Sequence, residues 1–67
     1  MKIDGSKLKA AREQALITRS DLAKIAGLTH VRIWQIEQVD IVANVNDNIV
    51  AAMAKALRVK PAELEAV

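Results

Sequence analysis

The sequence predicts an all-α single domain of five helices, and three observations predict it. Gly and Pro total three in 67 residues, Ala is abundant, and apolar residues recur at three- and four-residue spacings. No stretch alternates as a half-buried strand would. A chain of this length forms one domain, whose folding buries only about 60% of the surface its unfolded chain exposes. With no Cys there is neither a disulfide nor a thiolate metal site, so aliphatic packing alone must hold the core.

The elements follow in order. Ser6 is placed to cap a first helix running to about Leu16, with Leu8, Ala11, Ala15 and Leu16 as its buried stripe. Thr18, three residues before Asp21, restarts the chain in a near capping box as a second helix through about Ala26. Gly27 ends it, because glycine tolerates the positive φ of a helix C-terminus, and Thr29 caps a third helix to about Gln38. From Val39 to Val45 the pattern breaks. Asn44, Asn46, Asp47 and Asn48 supply turn formers and a cap for a fourth helix, on which Ile49, Ala52, Met53, Ala56 and Leu57 repeat at helical spacing. Pro61 suits the first turn of a short fifth helix carrying Leu64, where its missing N–H costs nothing.

Charge sharpens this outline. Residues 1 to 35 hold seven cations against three anions, a net +4, and the remainder three against five, a net −2. Such polarity suits a domain that turns one face toward phosphates. No apolar run reaches the ~20 residues that span a bilayer, and Met1 to Gly5 has no apolar signal-peptide region. The expectation is a soluble cytoplasmic protein with no membrane contact. Enzymatic chemistry is not expected: there is one His, no Cys and no carboxylate pair at an acid–base spacing. The same inventory argues against a metal site or cofactor.

The second and third helices with their glycine turn match the helix-turn-helix pattern, in which the first helix crosses the DNA backbone and the second enters the major groove. Ala23 must be small where the helices cross, Gly27 makes the turn, and Leu22, Ile33 and Ile36 anchor the pair. On the third helix His30, Val31, Trp34 and Gln35 are offset from the inward isoleucines and face out. Gln35 can pair bidentately with adenine, and Val31 can meet a thymine methyl. His30 can donate to a guanine edge or a phosphate, and Arg32 can reach either a guanine or the backbone. Trp34 packs on thymine methyls or sugar, or else leans on Ile25. Ser20, Thr29 and Gln38, near helix termini, suit phosphate contacts.

Leu8-Lys-Ala-Ala-Arg12, Thr18 to Ala23, Gly27-Leu-Thr29, Ile33 and Ile36-Glu37 resemble the Cro and phage-repressor (XRE-type) helix-turn-helix family. Met53 to Val59 and Pro61 to Leu64 resemble its fourth and fifth helices. The resemblance implies a five-helix, lambda-repressor-like DNA-binding domain. It implies an Arg12–Glu37 ion pair tying helix 1 to the end of the recognition helix, and a phosphate or flanking-base contact from Arg19, where the family usually has Gln. It also implies a dimer formed near the loop after the third helix, where Ile41 and Val42 form an apolar step; the other reading is that the loop folds back and buries them. Gln38-Val39 replaces the family's Asn-Gly, and this loop is about two residues longer. The resulting expectation is a stand-alone, Cro-like repressor binding a palindromic operator as a homodimer. The alternative is a protein-interaction module or antitoxin-type regulator that binds a protein with the same fold, through Ile25, Trp34 and the 41–42 step.

Overall fold

Four α-helices, two short strands and one 3₁₀ turn build the fold, seen in a computed structural model that describes residues 1–38 and 42–66. Strand β1 is Lys2–Asp4, α1 Gly5–Gln14, α2 Arg19–Ala26, α3 His30–Ile36, β2 Val42–Asn44 and α4 Asp47–Leu57, with the 3₁₀ turn at Pro61–Glu63.

Each α-helix starts on a short polar side chain that satisfies an orphan N–H of the first turn. For α1 that residue is Asp4 and not Ser6: its Oδ1 accepts from the N–H groups of Ser6 at 2.9 Å and Lys7 at 3.3 Å. A carboxylate also complements the positive end of the helix dipole, which a serine cannot do. Thr18 Oγ1 accepts from the Asp21 N–H, Thr29 Oγ1 from that of Arg32, and Asn46 Oδ1 from that of Asn48.

The C-termini of α1, α2 and α4 share one device. In each, a left-handed residue is followed by an apolar one that turns back onto the core, and two N–H groups satisfy the last carbonyls. For α2 these are Gly27 at φ 72° and Leu28, whose N–H reaches the Ala23 carbonyl at 2.8 Å. For α4 they are Arg58 at φ 59° and Val59. For α1 they are Leu16 at φ 58° and Ile17. The helix therefore ends at Gln14, and Leu16, expected in the buried stripe, points outward at 91% exposure while Ile17 packs on the core. A leucine here carries roughly the 1–2 kcal/mol cost of a left-handed L-residue that Gly27 escapes.

Two expectations need correction. The fold is mostly helical and not all-α: β1 and β2 pair antiparallel, with Lys2 opposite Asn44, Ile3 opposite Ala43 and Asp4 opposite Val42. The other edge of β1 meets the chain end, through Asp4 N–H to the Leu64 carbonyl and Ala66 N–H to the Lys2 carbonyl, each at 2.9 Å. Three-residue strands are too short to leave a period-2 signal. In place of a fifth α-helix there is one 3₁₀ turn starting at Pro61.

The core is a single apolar cluster. Leu8 from α1, Leu22 from α2, Ile33 and Ile36 from α3, and Val50 and Met53 from α4 are fully buried, and Ile3 and Leu64 close it from the paired chain ends. Because α2 packs against both α3 and α4, the α2–α3 pair is held from behind while its other side stays exposed. Among the described residues no helix is long and apolar enough to cross a membrane.

Candidate nucleic-acid interface

Gly27 and Leu28 link α2 to Thr29, so the second helix is capped one residue after the turn of the first is completed. Ala23 is buried at the crossing, and Leu22, Ile33 and Ile36 bury the inner faces of the two helices. This fixes which side of α3 is presented. His30, Val31, Trp34 and Gln35 are exposed, and Val31 lies three and four residues before Trp34 and Gln35, one ridge along the surface. Arg32 is half-buried at the side of this ridge. Ile25 on α2, Val31 and Trp34 each keep 50% of their surface exposed, a high value for large apolar side chains.

Around the ridge lie the residues expected to meet phosphates. Ser20 and Thr29 are exposed at the first turn of α2 and the cap of α3. The Thr29 hydroxyl oxygen already accepts from Arg32 but keeps its own hydrogen to donate. Gln38 spends one amide hydrogen on the Trp34 carbonyl at 3.0 Å, closing the end of α3. Val42 is exposed on β2, with Ala43 facing inward, so the strand does not bury it. Ile41 lies outside the described residues.

Arg12 and Glu37 are brought together. Arg12 Nε donates to Glu37 Oε2 at 2.6 Å and Nη2 to Oε1 at 3.2 Å, while Nη1 donates to the Ile17 carbonyl at 2.9 Å. Their side chains are 10% and 1% exposed, and no buried side-chain polar atom among the described residues lacks a partner. Sequence reasoning missed the third member. Arg19 Nε donates to the same carboxylate, at 2.9 Å from Oε1, with the arginine 39% exposed. Its only sequence signal is an arginine where the family usually has an uncharged glutamine. Also missed was Gly5, packed so closely under the end of α3 that a Cβ would overlap the Ile36 carbonyl oxygen.

A sequence model of the helix-turn-helix domain matches residues 5–67. The chain belongs to the helix-turn-helix domain family. Among solved structures it is similar to the P22 c2 repressor, crystallised with a synthetic operator in the presence of Tl⁺, at 28% identity and a TM-score of 0.80, covering 97% of this chain and 96% of that one. It is also similar to the restriction-modification controller protein C.AhdI from Aeromonas hydrophila, at 25% identity and a TM-score of 0.73, covering 88% and 86%. A variant of hydroxyethylphosphonate dioxygenase aligns with all of this chain at 27% identity and a TM-score of 0.77, over only 14% of the enzyme. No curated protein matches by sequence.

Proposed function

We propose that this helix-turn-helix protein is a sequence-specific double-stranded DNA-binding regulator of transcription, a Cro-like repressor, with α2 and α3 as the helix-turn-helix. The exposed ridge of α3, packed on α2, which in turn rests on α4, carries the reading, and the likeness to a repressor crystallised with a synthetic operator supports it. In this reading α3 enters the major groove. Gln35 pairs with adenine, Val31 and Trp34 meet thymine methyls, and His30 and Arg32 reach guanine edges. Arg19, Ser20, Thr29 and Gln38 hold the flanking phosphates and set the register. The protein acts in the cytoplasm, nucleoid-associated when bound.

One such ridge reads too few base pairs to select a site among the ~10⁶ or more competitors in a genome, so two copies bind a palindromic operator. Their recognition helices then lie about 34–36 Å apart, one helical turn along the duplex. Val42 and Ile41 lie in the segment proposed for the contact between copies. Standard stable interfaces bury ~1,600 Å², more than this short apolar step supplies, so the dimer is completed on DNA.

Selection from a random duplex library, followed by sedimentation on the recovered site, tests this. The expected result is a two-fold symmetric site that binds two chains cooperatively, with cooperativity lost in Ile41→Asp. An asymmetric site holding one chain sinks the dimer. The half-exposed Ile25, Val31 and Trp34 favour a second reading, a module that docks a protein. Salt separates the two: DNA binding weakens steeply through counterion release, and an apolar interface does not.

A further inference from the structure

We propose that Glu37 is a positioning residue for phosphate binding: it grips the Nε edge of Arg19 and thereby presents Nη1 and Nη2 to one phosphate of the duplex. The inference rests on the DNA-binding reading above. Two guanidiniums meet one carboxylate here, but they are spent differently. Arg12 is nearly buried and commits Nε, Nη1 and Nη2 to Glu37 and Ile17. Arg19 commits Nε alone and stays partly exposed; among the described residues its two terminal nitrogens bond to nothing. Those nitrogens form the planar fork that matches a phosphate with two parallel hydrogen bonds.

The charges have a use in this arrangement. Arg12 neutralises Glu37 from the inside, so the cluster keeps a net +1, and the exposed guanidinium carrying it is Arg19. With Glu37 and Arg19 alone, the pair would be neutral and would draw a phosphate weakly. Arg19 also begins α2, where the first N–H groups have no acceptor within the helix and the dipole is positive, so backbone and side chain favour the same anion. A long side chain fixed in the free protein loses less rotamer freedom when it binds.

A competing role gives the opposite sign. If Glu37 only tied α2 to α3, the phosphate would have to pull Arg19 away from it, and removing the carboxylate charge would tighten binding. Affinity of the full chain for a labelled mixed-sequence duplex, measured across a salt series, distinguishes them. Arg19→Lys keeps the charge but not the fork, and is expected to weaken binding about tenfold, the size of one charge-assisted hydrogen bond, with an unchanged salt slope. Glu37→Gln is expected to weaken binding even though it raises the net charge by one. In an Arg19→Ala background the same change is expected to tighten binding, because only the charge effect is left.

Circular dichroism confirms that each variant compared is folded; Arg19→Lys leaves the Arg12–Glu37 bonds in place and decides the matter should Glu37→Gln not fold. Wild-type affinity in Arg19→Lys, or tighter binding by Glu37→Gln in the wild-type background, overturns the positioning role and leaves DNA binding standing. Failure of the wild-type chain to bind the duplex overturns both.

Discussion

Replacing Glu37 by alanine is expected to cost about 3–5 kcal/mol of folding free energy, the range for removing one partner of a buried ion pair. The carboxylate is 1% exposed and accepts three hydrogen bonds from two guanidiniums. Its loss leaves Arg12, itself only 10% exposed, with the Ile17 carbonyl as its one acceptor among the described residues and a second cation nearby. A domain of this length has about 3–10 kcal/mol in total, so the variant unfolds early in a urea titration followed by far-ultraviolet circular dichroism. Arg12→Ala is expected to cost less, since Glu37 keeps its bond to Arg19. The double variant should lose less than the sum of the two, as coupled partners do. Strict additivity, or a larger loss in Arg12→Ala, would contradict this three-charge arrangement.

Gly5→Ala is expected to cost about 1–3 kcal/mol or more, as overpacking does. Gly5 is the first residue of α1, and its place at the carbonyl end of α3 sets the positive end of one helix dipole against the negative end of another. An added Cβ would overlap the Ile36 carbonyl oxygen and stand 2.9 Å from that of Gln38. Backbone atoms cannot swing aside as a flexible side chain can, so the end of α3 has to move, and Glu37 lies in the displaced stretch. The variant should therefore lose both thermal stability and DNA affinity. Wild-type melting in Gly5→Ala would show that α1 and α3 do not meet this closely.

How much of this was legible depended on whether the signal was local. Thr18, Gly27 and Thr29 were readable because a cap or a left-handed turn is decided within a few residues, whereas the cap of α4 was narrowed only to Asn44, Asn46, Asp47 and Asn48. Leu22, Ile33 and Ile36 were readable from helical spacing and are buried. Leu16 misled because spacing cannot tell a last helical residue from one that has turned left-handed; the telling feature is Ile17 behind it, the apolar residue that closes such an end. The strands escaped because their pairing joins residues some forty positions apart. Arg19 and Gly5 escaped for the same reason, since each is explained by the end of α3 and not by its own neighbours. The exposed ridge was readable as a face, but what that face binds is a matter of chemistry that spacing leaves open.

The most direct test of the central claim, that this ridge reads base edges, is the affinity of Gln35→Ala for the library-selected site beside its affinity for mixed-sequence DNA. Gln35 is exposed on the same ridge as Val31 and Trp34. The expected result is a loss of about 1–3 kcal/mol on the selected site and almost none on mixed sequence, the mark of a base contact. Equal losses on both would assign Gln35 to the phosphate backbone, and unchanged binding on both would remove α3 from the groove.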